Sequence, residues 1–478
     1  MMDTTTHELD RLFAAQKAAF AGNSMPTLDD RLDRLRRLEG AMMRHRVGFQ
    51  KSVAADFGSH SPMVTDLFET GGVLGRNRYI QMQLADWMQP SERPLNAMVH
   101  GGSSARVIRQ PKGVIGNLAP WNFPIECALV MVNDMLAAGN RVIVKASEQT
   151  PATSELLRQA IAEAFDESEL AVVCGPDVAF AEYFCTLPWD HLCFTGGGKI
   201  GRNVMRLAAE RMTPVTLELG GKNPTLFSDS GVSADLVERF LYNRVFKGGQ
   251  VCTSPDYAFV PEGKLDEWIA LAKSTWTNMY PNYVGHDDAT GTINRRHYDR
   301  ITGYLKEAEA AGCQIISLNG EAPDPERLQI PMYLVIDPGE ELGVMSEEIF
   351  GPVTAVKPYR DFDGAVDYIN GHDRPLAAYF VGRERDLADA FQTRVIAGGI
   401  GINVFGLQGA EPVLPFGGIG ASGMGCHSGF EGFLHFTHGK SVFECADDSP
   451  LMAALKGPYG AMTQAFADAV FPVAEGVA

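Results

Sequence analysis

The most constraining feature of the sequence is a stretch in which short apolar runs alternate with helical patterns. It lies between residues 113 and 220, and each run but the last is followed by a segment typical of a helix. The five runs are GVIGNLAP (113–120), RVIVKAS (141–147), LAVVCG (170–175), HLCFTG (191–196) and PVTLELG (214–220). Continuous apolar strands that alternate with helices indicate a parallel sheet covered on both faces. Ligands of such sheets bind beyond the carboxyl ends of the strands.

A second alternating series follows between residues 223 and 403. Its predicted strands are NPTLFSD, YAFVPEG, CQIISLN, MYLVID, TAVKPY, AAYFVG and GGIGIN. A chain of 478 residues is too long for one hydrophobic core, so we predict separate α/β domains with a boundary near Gly220–Gly221. The segment ARVIRQPK (105–112) alternates like a strand and predicts an arm that leaves the main body.

Charge, cysteines and hydropathy exclude several classes of protein. A net charge of −18 argues against a nucleic-acid partner, because phosphates would be repelled. The eight cysteines are scattered without metal-ligand spacing. We therefore expect no metal site and a reducing compartment, the cytoplasm, in place of a disulfide scaffold. The N-terminus has no signal-peptide pattern, and no apolar run is long enough for a membrane span.

Cys252 stands alone in the stretch FKGGQVCTSPDY (246–257). It follows a predicted helix, DLVERFLYNRVF, that Gly248 and Gly249 are expected to end. Because a helix C-terminus carries negative partial charge, a thiolate here would need nearby N–H donors, a base or a cationic cofactor. The alternative is a buried, inert cysteine, which in isolation is the commoner case.

Other polar residues lie where predicted strands end. Asn122, in PWNFP, is either a donor to an oxyanion or a turn residue. Glu218, in LELGGK, is either a general base whose pKa burial raises or a buried structural glutamate. Lys145 and Glu148, in KASEQTP, either contact the hydroxyls of an adenosine ribose or are a solvated lysine and a helix-start glutamate.

The stretch FTGGGKIG (194–201) matches the dinucleotide fingerprint GxGxxG at Gly196, Gly198 and Gly201. It follows a strand and opens a helix, as the fingerprint requires. However, it follows the fourth strand of its series, whereas the fingerprint normally follows the first. A tight strand-to-helix turn without a ligand is therefore an equal alternative.

Taken together and in order, seven motifs resemble the NAD(P)-dependent aldehyde dehydrogenase superfamily. They are PWNFP, KASEQTP, FTGGGKIG, LELGGKNP, GGQVC, EEIFGP and PFGGIGASGMG, and the likeness runs from about residue 25 to 445. SPDY after the cysteine and the last motif resemble the branch that holds the class-three and coniferyl-aldehyde dehydrogenases. The resemblance implies an α/β fold: a Rossmann-like parallel-sheet cofactor domain, an α/β catalytic domain and a small β oligomerisation arm.

The resemblance implies a role for individual side chains. Cys252 matches the nucleophile, and Glu218 matches the base that activates the hydrolytic water. Asn122 matches the side-chain half of an oxyanion hole, whose other half is the backbone N–H of Cys252. The implied cofactor-binding residues are Trp121, Lys145, Glu148, Gly196, Gly197, Gly201, Leu219, Glu348 and Phe350.

Within that set, Lys145 and Glu148 match contacts to the adenosine ribose. Glu348 matches the residue that holds the nicotinamide ribose, and Phe350 matches the ring beside the nicotinamide. The chain also departs from the family pattern. It has GGG where GST is usual after the fourth strand, KASE with alanine for proline, and KGGQ for NAGQ, which puts Lys247 close in sequence to the nucleophile.

The implied activity is oxidation of an aldehyde, aromatic and coniferyl-aldehyde-like or medium-chain, to the carboxylic acid. The reaction would pass through a thiohemiacetal and a thioester on the cysteine, with hydride transfer to NAD or NADP. Glu148 favours NAD, because it would repel a 2′-phosphate. The alternatives are a CoA-acylating or semialdehyde dehydrogenase, against which Glu218 argues, and a catalytically idle homologue, against which the intact set of catalytic residues argues.

The resemblance also divides the chain and implies a homodimer bridged by the arm and the tail. The predicted parts are a cofactor domain at residues 1–95 and 113–220, a catalytic domain at 221–403, an oligomerisation arm and bridging tail at 96–112 and 426–446, and a C-terminal tail at 447–478.

Overall fold

The structure, a computed structural model, describes residues 2–471. The end of the predicted C-terminal tail, residues 472–478, lies outside the described residues. The strands are β1 Ser91–Arg93, β2 Ser104–Pro111, β3 Val114–Leu118, β4 Arg141–Ala146, β5 Leu170–Cys174, β6 His191–Thr195, β7 Val215–Glu218, β8 Pro224–Phe227, β9 Tyr257–Pro261, β10 Gln314–Ser317, β11 Tyr333–Ile336, β12 Val353–Tyr359, β13 Ala377–Val381, β14 Gly399–Ile402, β15 Gly423–Met424 and β16 Thr437–Glu444.

The helices connect and flank these strands. They are α1 Met2–Gly22, α2 Leu28–Phe57, α3 Pro62–Val64, α4 Gly71–Trp87, α5 Ala97–His100, α6 Glu126–Ala137, α7 Pro151–Ala164, α8 Val178–Thr186, α9 Gly198–Ala209, α10 Ala234–Val245, α11 Leu265–Met279, α12 Arg295–Ala310, α13 Gly343–Ser346, α14 Phe362–Asn370, α15 Arg385–Arg394, α16 Leu407–Ala410, α17 Gly429–His435, α18 Pro450–Ala454 and α19 Ala461–Val470. A π-helical turn spans Thr65–Thr70, and 3₁₀ turns span Asp229–Gly231, Phe246–Gly249 and Glu262–Lys264.

The first alternating series forms a six-stranded sheet in the order β15-β7-β6-β3-β4-β5. Strands β3 to β7 are parallel, and the short β15 pairs antiparallel with β7. The chain adds β4 and β5 on one side of β3 and then β6 and β7 on the other. The strand order thus reverses between β3 and β6, which opens a crevice at the carboxyl ends of these strands, where such sheets bind ligands.

The second series forms a seven-stranded sheet in the order β10-β11-β12-β9-β8-β13-β14. It is parallel except for the antiparallel pair β10–β11. The predicted α/β fold is confirmed, and the expected boundary near Gly220–Gly221 falls between β7 of one sheet and β8 of the other. The domain ranges themselves stay a prediction.

Both large sheets are buried on two faces, as their apolar strands require. In β4, Val142 and Val144 pack with α2, α4, α6 and α7, whereas Ile143 packs with α1, α8 and α9. In the second sheet, Leu226 and Phe227 of β8 likewise belong to cores on opposite faces. This double cover fixes the strand ends that carry the polar residues.

A third, small sheet is antiparallel in the order β1-β2-β16. Strand β2 begins at Ser104, close to the strand predicted at residues 105–112. Its partner β16 comes from the C-terminal part of the chain, and most of its side chains are exposed. Within residues 2–471, no helix has both the length and the apolar character that a membrane crossing requires.

Candidate active site

Two cavities of different character meet at a shared wall. One, of about 610 Å³, is lined mainly by apolar side chains, among them Phe68, Phe123, Tyr242, Phe246, Phe405 and Phe416. The other is a cleft of about 1570 Å³ at the carboxyl ends of β3, β4, β6 and β7. Thr195, Glu218, Leu219 and Cys252 line both cavities. A small molecule in the apolar cavity and a ligand in the cleft would therefore meet at Cys252 and Glu218.

Cys252 lies in the segment between α10 and β9, and its backbone is held by residues of the second sheet. Asn223 donates from Nδ2 to the carbonyl oxygens of Cys252 at 2.7 Å and of Ser254 at 2.9 Å. The Oδ1 of Asn223 accepts from the N–H of Ala377 at 2.9 Å, and the hydroxyl of Tyr379 donates to the carbonyl of Thr253. These bonds fix the thiol at the junction of the cavities.

The surroundings of Cys252 oppose its ionisation. Burial raises the pKa of the thiol well above its ordinary value, and the charges of Glu348, Glu126 and Glu218 raise it further. A thiolate at this position therefore requires positive charge or a base nearby, because free cysteine is already protonated at neutral pH.

Glu218 ends β7 with its side chain 3% exposed. Neither carboxylate oxygen has a hydrogen-bond partner among the described residues. Burial raises the pKa of this carboxyl well above its usual range, and the positive charge of Arg76 opposes the shift only in part. A buried carboxyl group without a partner costs stability, which is typical of a group kept for chemistry.

Asn122 lies in the loop after β3 and is 5% exposed. Its Nδ2 donates to the carbonyl oxygen of Gln250 at 3.1 Å. Gln250 in turn donates to the carbonyl oxygens of Lys247 and Gly291, each at 3.0 Å, and accepts from the N–H of Ile293 at 2.9 Å. The structure thus places the Asn122 amide against the segment that carries Cys252, two residues before the cysteine.

The adenosine end predicted for the cleft contains an ion pair. Lys145 donates to the carboxylate of Glu148, and both residues line the cleft. Burial raises the pKa of Glu148, but the Lys145 ammonium outweighs it and holds that pKa below the usual value. Glu148 is therefore an anion that can accept hydrogen bonds from sugar hydroxyls.

The start of α9 fits a phosphate group. Gly197 is its N-cap and leaves the first turn without a side-chain cap, and a Cβ on Gly197 would meet nothing within 4 Å. By contrast, a Cβ on Gly196 would lie 2.5 Å from the Phe194 ring, and one on Gly201 would lie 2.7 Å from Leu219. Free N–H groups at a helix N-terminus, with open space before them, suit a pyrophosphate.

The other end of the cleft contains Glu348 and an aromatic pair. Burial, with the charge of Asp256, raises the pKa of Glu348 to about 8. Its carboxylate lies so close to Gly220 that a Cβ there would approach it to 2.2 Å. Phe350, at φ +50°, meets Trp121 edge to face with ring centroids 5.4 Å apart. Eight of the nine predicted cofactor-binding residues therefore line one cleft, and their donor and acceptor groups fit a nicotinamide dinucleotide. The ninth, Gly201, does not line the cleft and is buried in α9, against Leu219.

Several residues around the site carry no signal in the sequence. Asn223, which directly precedes β8, and Tyr379 of β13 hold the backbone of residues 252–254 and were not predicted. Asn223 lies within the motif LELGGKNP, but nothing in that motif indicates the hydrogen bonds that its side chain makes. Arg76 and Glu126 line the apolar cavity, and neither stands out from its helical surroundings in the sequence.

The chain is similar over most of its length to known proteins. The sequence model of the aldehyde dehydrogenase family matches residues 1–442. A probable coniferyl aldehyde dehydrogenase of Caulobacter vibrioides is 40% identical over 452 residues, which cover 93% of each chain. A coniferyl aldehyde dehydrogenase of a Pseudomonas species is 39% identical over 455 residues, which cover 95% of this chain and 93% of the relative.

Solved structures show the same architecture. A substrate-bound AldH of Staphylococcus aureus has a TM-score of 0.87 and 27% identity, covering 92% of this chain and 94% of that one. An aldehyde dehydrogenase of Mycobacterium tuberculosis complexed with NAD+ has a TM-score of 0.79 and 26% identity, covering 90% of this chain and 88% of that one.

Proposed function

The chain belongs to the aldehyde dehydrogenase family and is an NAD(P)-dependent enzyme, and from this premise we propose that it oxidises aromatic aldehydes of the coniferyl-aldehyde kind. The products are the corresponding carboxylic acids. One observation carries the proposal: Cys252 and Glu218 line the junction between an apolar, aromatic-lined cavity and a cleft suited to a dinucleotide.

Cys252 is the nucleophile. Its sulfur attacks the carbonyl carbon of an aldehyde in the apolar cavity, and negative charge develops on the carbonyl oxygen. The Asn122 amide, now 3.1 Å from the Gln250 carbonyl, and the backbone N–H of Cys252 stabilise that charge. One donor of this type contributes about 2.7–4 kcal/mol to the transition state in comparable sites.

The cleft holds the cofactor. When bound, NAD(P)+ supplies the acceptor for the hydride that the carbonyl carbon loses and adds positive charge to the site. Lys145 and Glu148 hold the adenosine ribose, the start of α9 holds the pyrophosphate, and Glu348 holds the nicotinamide ribose. Cys252 is left carrying the acyl group as a thioester.

Glu218 is the general base of the second half of the reaction. It takes a proton from a water molecule, which attacks the thioester carbon, and the sulfur of Cys252 leaves as the acid forms. Its raised pKa supports this role, because a carboxylate of higher pKa is a stronger base.

The substrate class rests on the lining of the apolar cavity. Six aromatic rings surround it, and the two curated relatives described above are named for coniferyl aldehyde. Ring-to-ring contacts favour an aromatic aldehyde over an aliphatic one of equal length.

A spectrophotometric screen tests the substrate class. Cinnamaldehyde-type, benzaldehyde-type and aliphatic aldehydes are compared with both nicotinamides, and NADH or NADPH formation is followed. We expect the highest kcat/KM for hydroxylated and methoxylated cinnamaldehydes. Higher kcat/KM for the aliphatic series would contradict the substrate class while leaving the family's reaction in place.

We also propose that the enzyme is a cytoplasmic homodimer. The outer edge of β16 has no strand partner within the described chain, and such an edge is suited to pair with a second copy. The cysteines are all free, which suits a compartment that keeps thiols reduced.

A further inference from the structure

A buried ion pair joins the segment between α10 and β9 that carries Cys252 (residues 246–256, the nucleophile segment) to the π-helical turn Thr65–Thr70, which is far away in sequence. Lys247 donates to the carboxylate of Glu69, and both side chains are 0% exposed. Lys247 belongs to the segment that carries Cys252, yet it lines neither cavity. Its ammonium group instead contacts Glu69 and the rings of Phe57 and Phe123, so it is not in a position to touch a bound aldehyde.

Glu69 makes a second set of contacts with its other oxygen. Its Oε2 accepts from the backbone N–H of Ile125 at 2.9 Å and of Glu126 at 3.3 Å. These two groups lie at the end of the loop that carries Asn122 and at the start of α6. The same carboxylate thus holds the Asn122 loop with one oxygen and the nucleophile segment with the other.

The lysine strengthens this link through aromatic rings. Its Nζ lies 4.2 Å from the ring centroid of Phe123, the residue after Asn122, and 5.0 Å from that of Phe57. Cation–π attraction is strongest where the charge is desolvated, as it is here. The Phe123 ring therefore packs against the lysine, and this contact adds a second connection between the Asn122 loop and the nucleophile segment.

The backbone of Lys247 is left-handed, at φ +52° and ψ +36°. Glycine or asparagine adopts this conformation more readily than lysine does. A buried ion pair is also weak evidence for stability, because desolvating two charges offsets their attraction. A lysine at this position is therefore better explained by the geometry it imposes than by the stability it adds.

We propose that Glu69 and Lys247 are positioning residues for the oxyanion hole. The pair holds the Asn122 amide and the backbone N–H of Cys252 at a fixed separation, because it connects the two segments that carry these donors. The bond from Asn122 to the Gln250 carbonyl is the point where the segments meet. This inference rests on the proposed function, since it assumes that both donors face the same developing charge.

The test compares acylation with simple thiol reactivity. Lys247→Met removes the charge and keeps an unbranched side chain that is one atom shorter. We expect the NADH burst rate to fall about 10- to 100-fold, as for a donor misplaced by about 1 Å. Alkylation of Cys252 by iodoacetamide, which needs no oxyanion hole, should keep its rate, and the KM for NAD should be unchanged.

A double-variant cycle separates positioning from general damage. In an Asn122→Ala background, Lys247→Met should slow the burst far less than it does alone, because the main donor is already gone. Effects that multiply would overturn the proposal, and so would a folded Lys247→Met enzyme with the burst rate of the wild type. If the Lys247→Met variant does not fold, the double variant Glu69→Gln/Lys247→Met is used instead. It leaves no unpaired charge, and the same results are expected of it.

Arg34→Met is the matched control. Arg34, which is itself buried, forms an ion pair with the partly exposed Glu169 at 3.0 Å and lines neither cavity. The Arg34→Met variant should have a lower melting temperature than the wild type and an unchanged NADH burst rate. A slowed burst in this variant would mean that the loss of any such ion pair produces the effect, and it would overturn the inference. Activity retained by Cys252→Ser would instead overturn the proposed function, so the two failures are distinguishable.

Discussion

The reactivity of the site depends on how burial changes the pKa values of individual side chains. Burial raises the pKa of the Cys252 thiol and of the Glu218 carboxyl, so it disfavours the ionised form of each group. The same low polarity strengthens each hydrogen bond to a developing oxyanion. The site therefore favours the transition state at the expense of the ionised resting groups.

Removing the nucleophile tests the most basic assignment. We expect Cys252→Ser to lower kcat by about 10³-fold or more, because a serine hydroxyl is a far weaker nucleophile without an activating base. Titration of the variant with NAD by fluorescence should give the wild-type dissociation constant. Substantial turnover by the serine variant would show that another group carries the acyl chain.

Glu218→Gln should separate the two halves of the reaction. We expect a normal NADH burst followed by slow turnover, because the thioester forms but no base activates water. In the wild type the base form exists only above the raised pKa, so kcat should fall as the pH is lowered through that value. The variant should lose this pH dependence; an unchanged steady state would argue against the base role.

The choice between NAD and NADP depends on Glu148. Its carboxylate would repel a 2′-phosphate, so the wild type should prefer NAD. Glu148→Gln should raise kcat/KM for NADP on the order of tenfold, since it removes a repulsion of about 1 kcal/mol or more. Glu155→Gln, on the surface of α7 outside both cavities, is the control and should change neither value. A wild-type preference for NADP would refute this assignment.

The backbone conformation of the connecting segments determines where the side chains of the site lie. The 3₁₀ turn Phe246–Gly249 follows α10, so the helix ends at Val245, slightly before the glycines that the sequence suggested as its end. Gly249, at φ +71°, then lies against the loop that carries Glu348 and Phe350: a Cβ on it would lie 2.4 Å from the carbonyl carbon of Gly351. The nucleophile segment and the nicotinamide side of the cleft are thus packed backbone to backbone.

Gly249→Ala tests this close approach. The new methyl group would meet a backbone that cannot move aside, in a conformation that alanine rarely adopts, so we expect a loss of about 1–3 kcal/mol in the free energy of unfolding. Urea denaturation measures it. Gly263→Ala is the control, because a Cβ there meets nothing within 4 Å. Equal midpoints for the two variants would contradict the packing argument.

The outer edge of β16 has no strand partner among the residues that the structure describes. Phe443 of this strand is 51% exposed. We expect light scattering after size-exclusion chromatography to give twice the mass of one chain. Phe443→Glu should shift the equilibrium towards the monomer, because it would bury a charge in the interface. A wild type that is monomeric at micromolar concentration would contradict the homodimer.

Local patterns were enough to predict the architecture. The strands of both series were identified from largely apolar runs of six to eight residues, because a parallel strand buried on both faces is predominantly apolar. Strand β15 was not predicted, since Gly423–Met424 has no apolar run and pairs with β7 only through the fold. Ordered motifs indicated the polar residues at strand ends, whose roles stay proposals.

The sequence by itself therefore determined the α/β fold, the order of the sheets' strands along the chain and the family of the enzyme. Only the tertiary structure decided which way Lys247 points, because its partner Glu69 is 178 residues away and looks like an ordinary helical glutamate in the sequence. It also decided that the apolar cavity and the cleft share Cys252 and Glu218. The reason is physical: periodicity records which side of an element is buried, whereas the partner it is buried against depends on how distant segments pack.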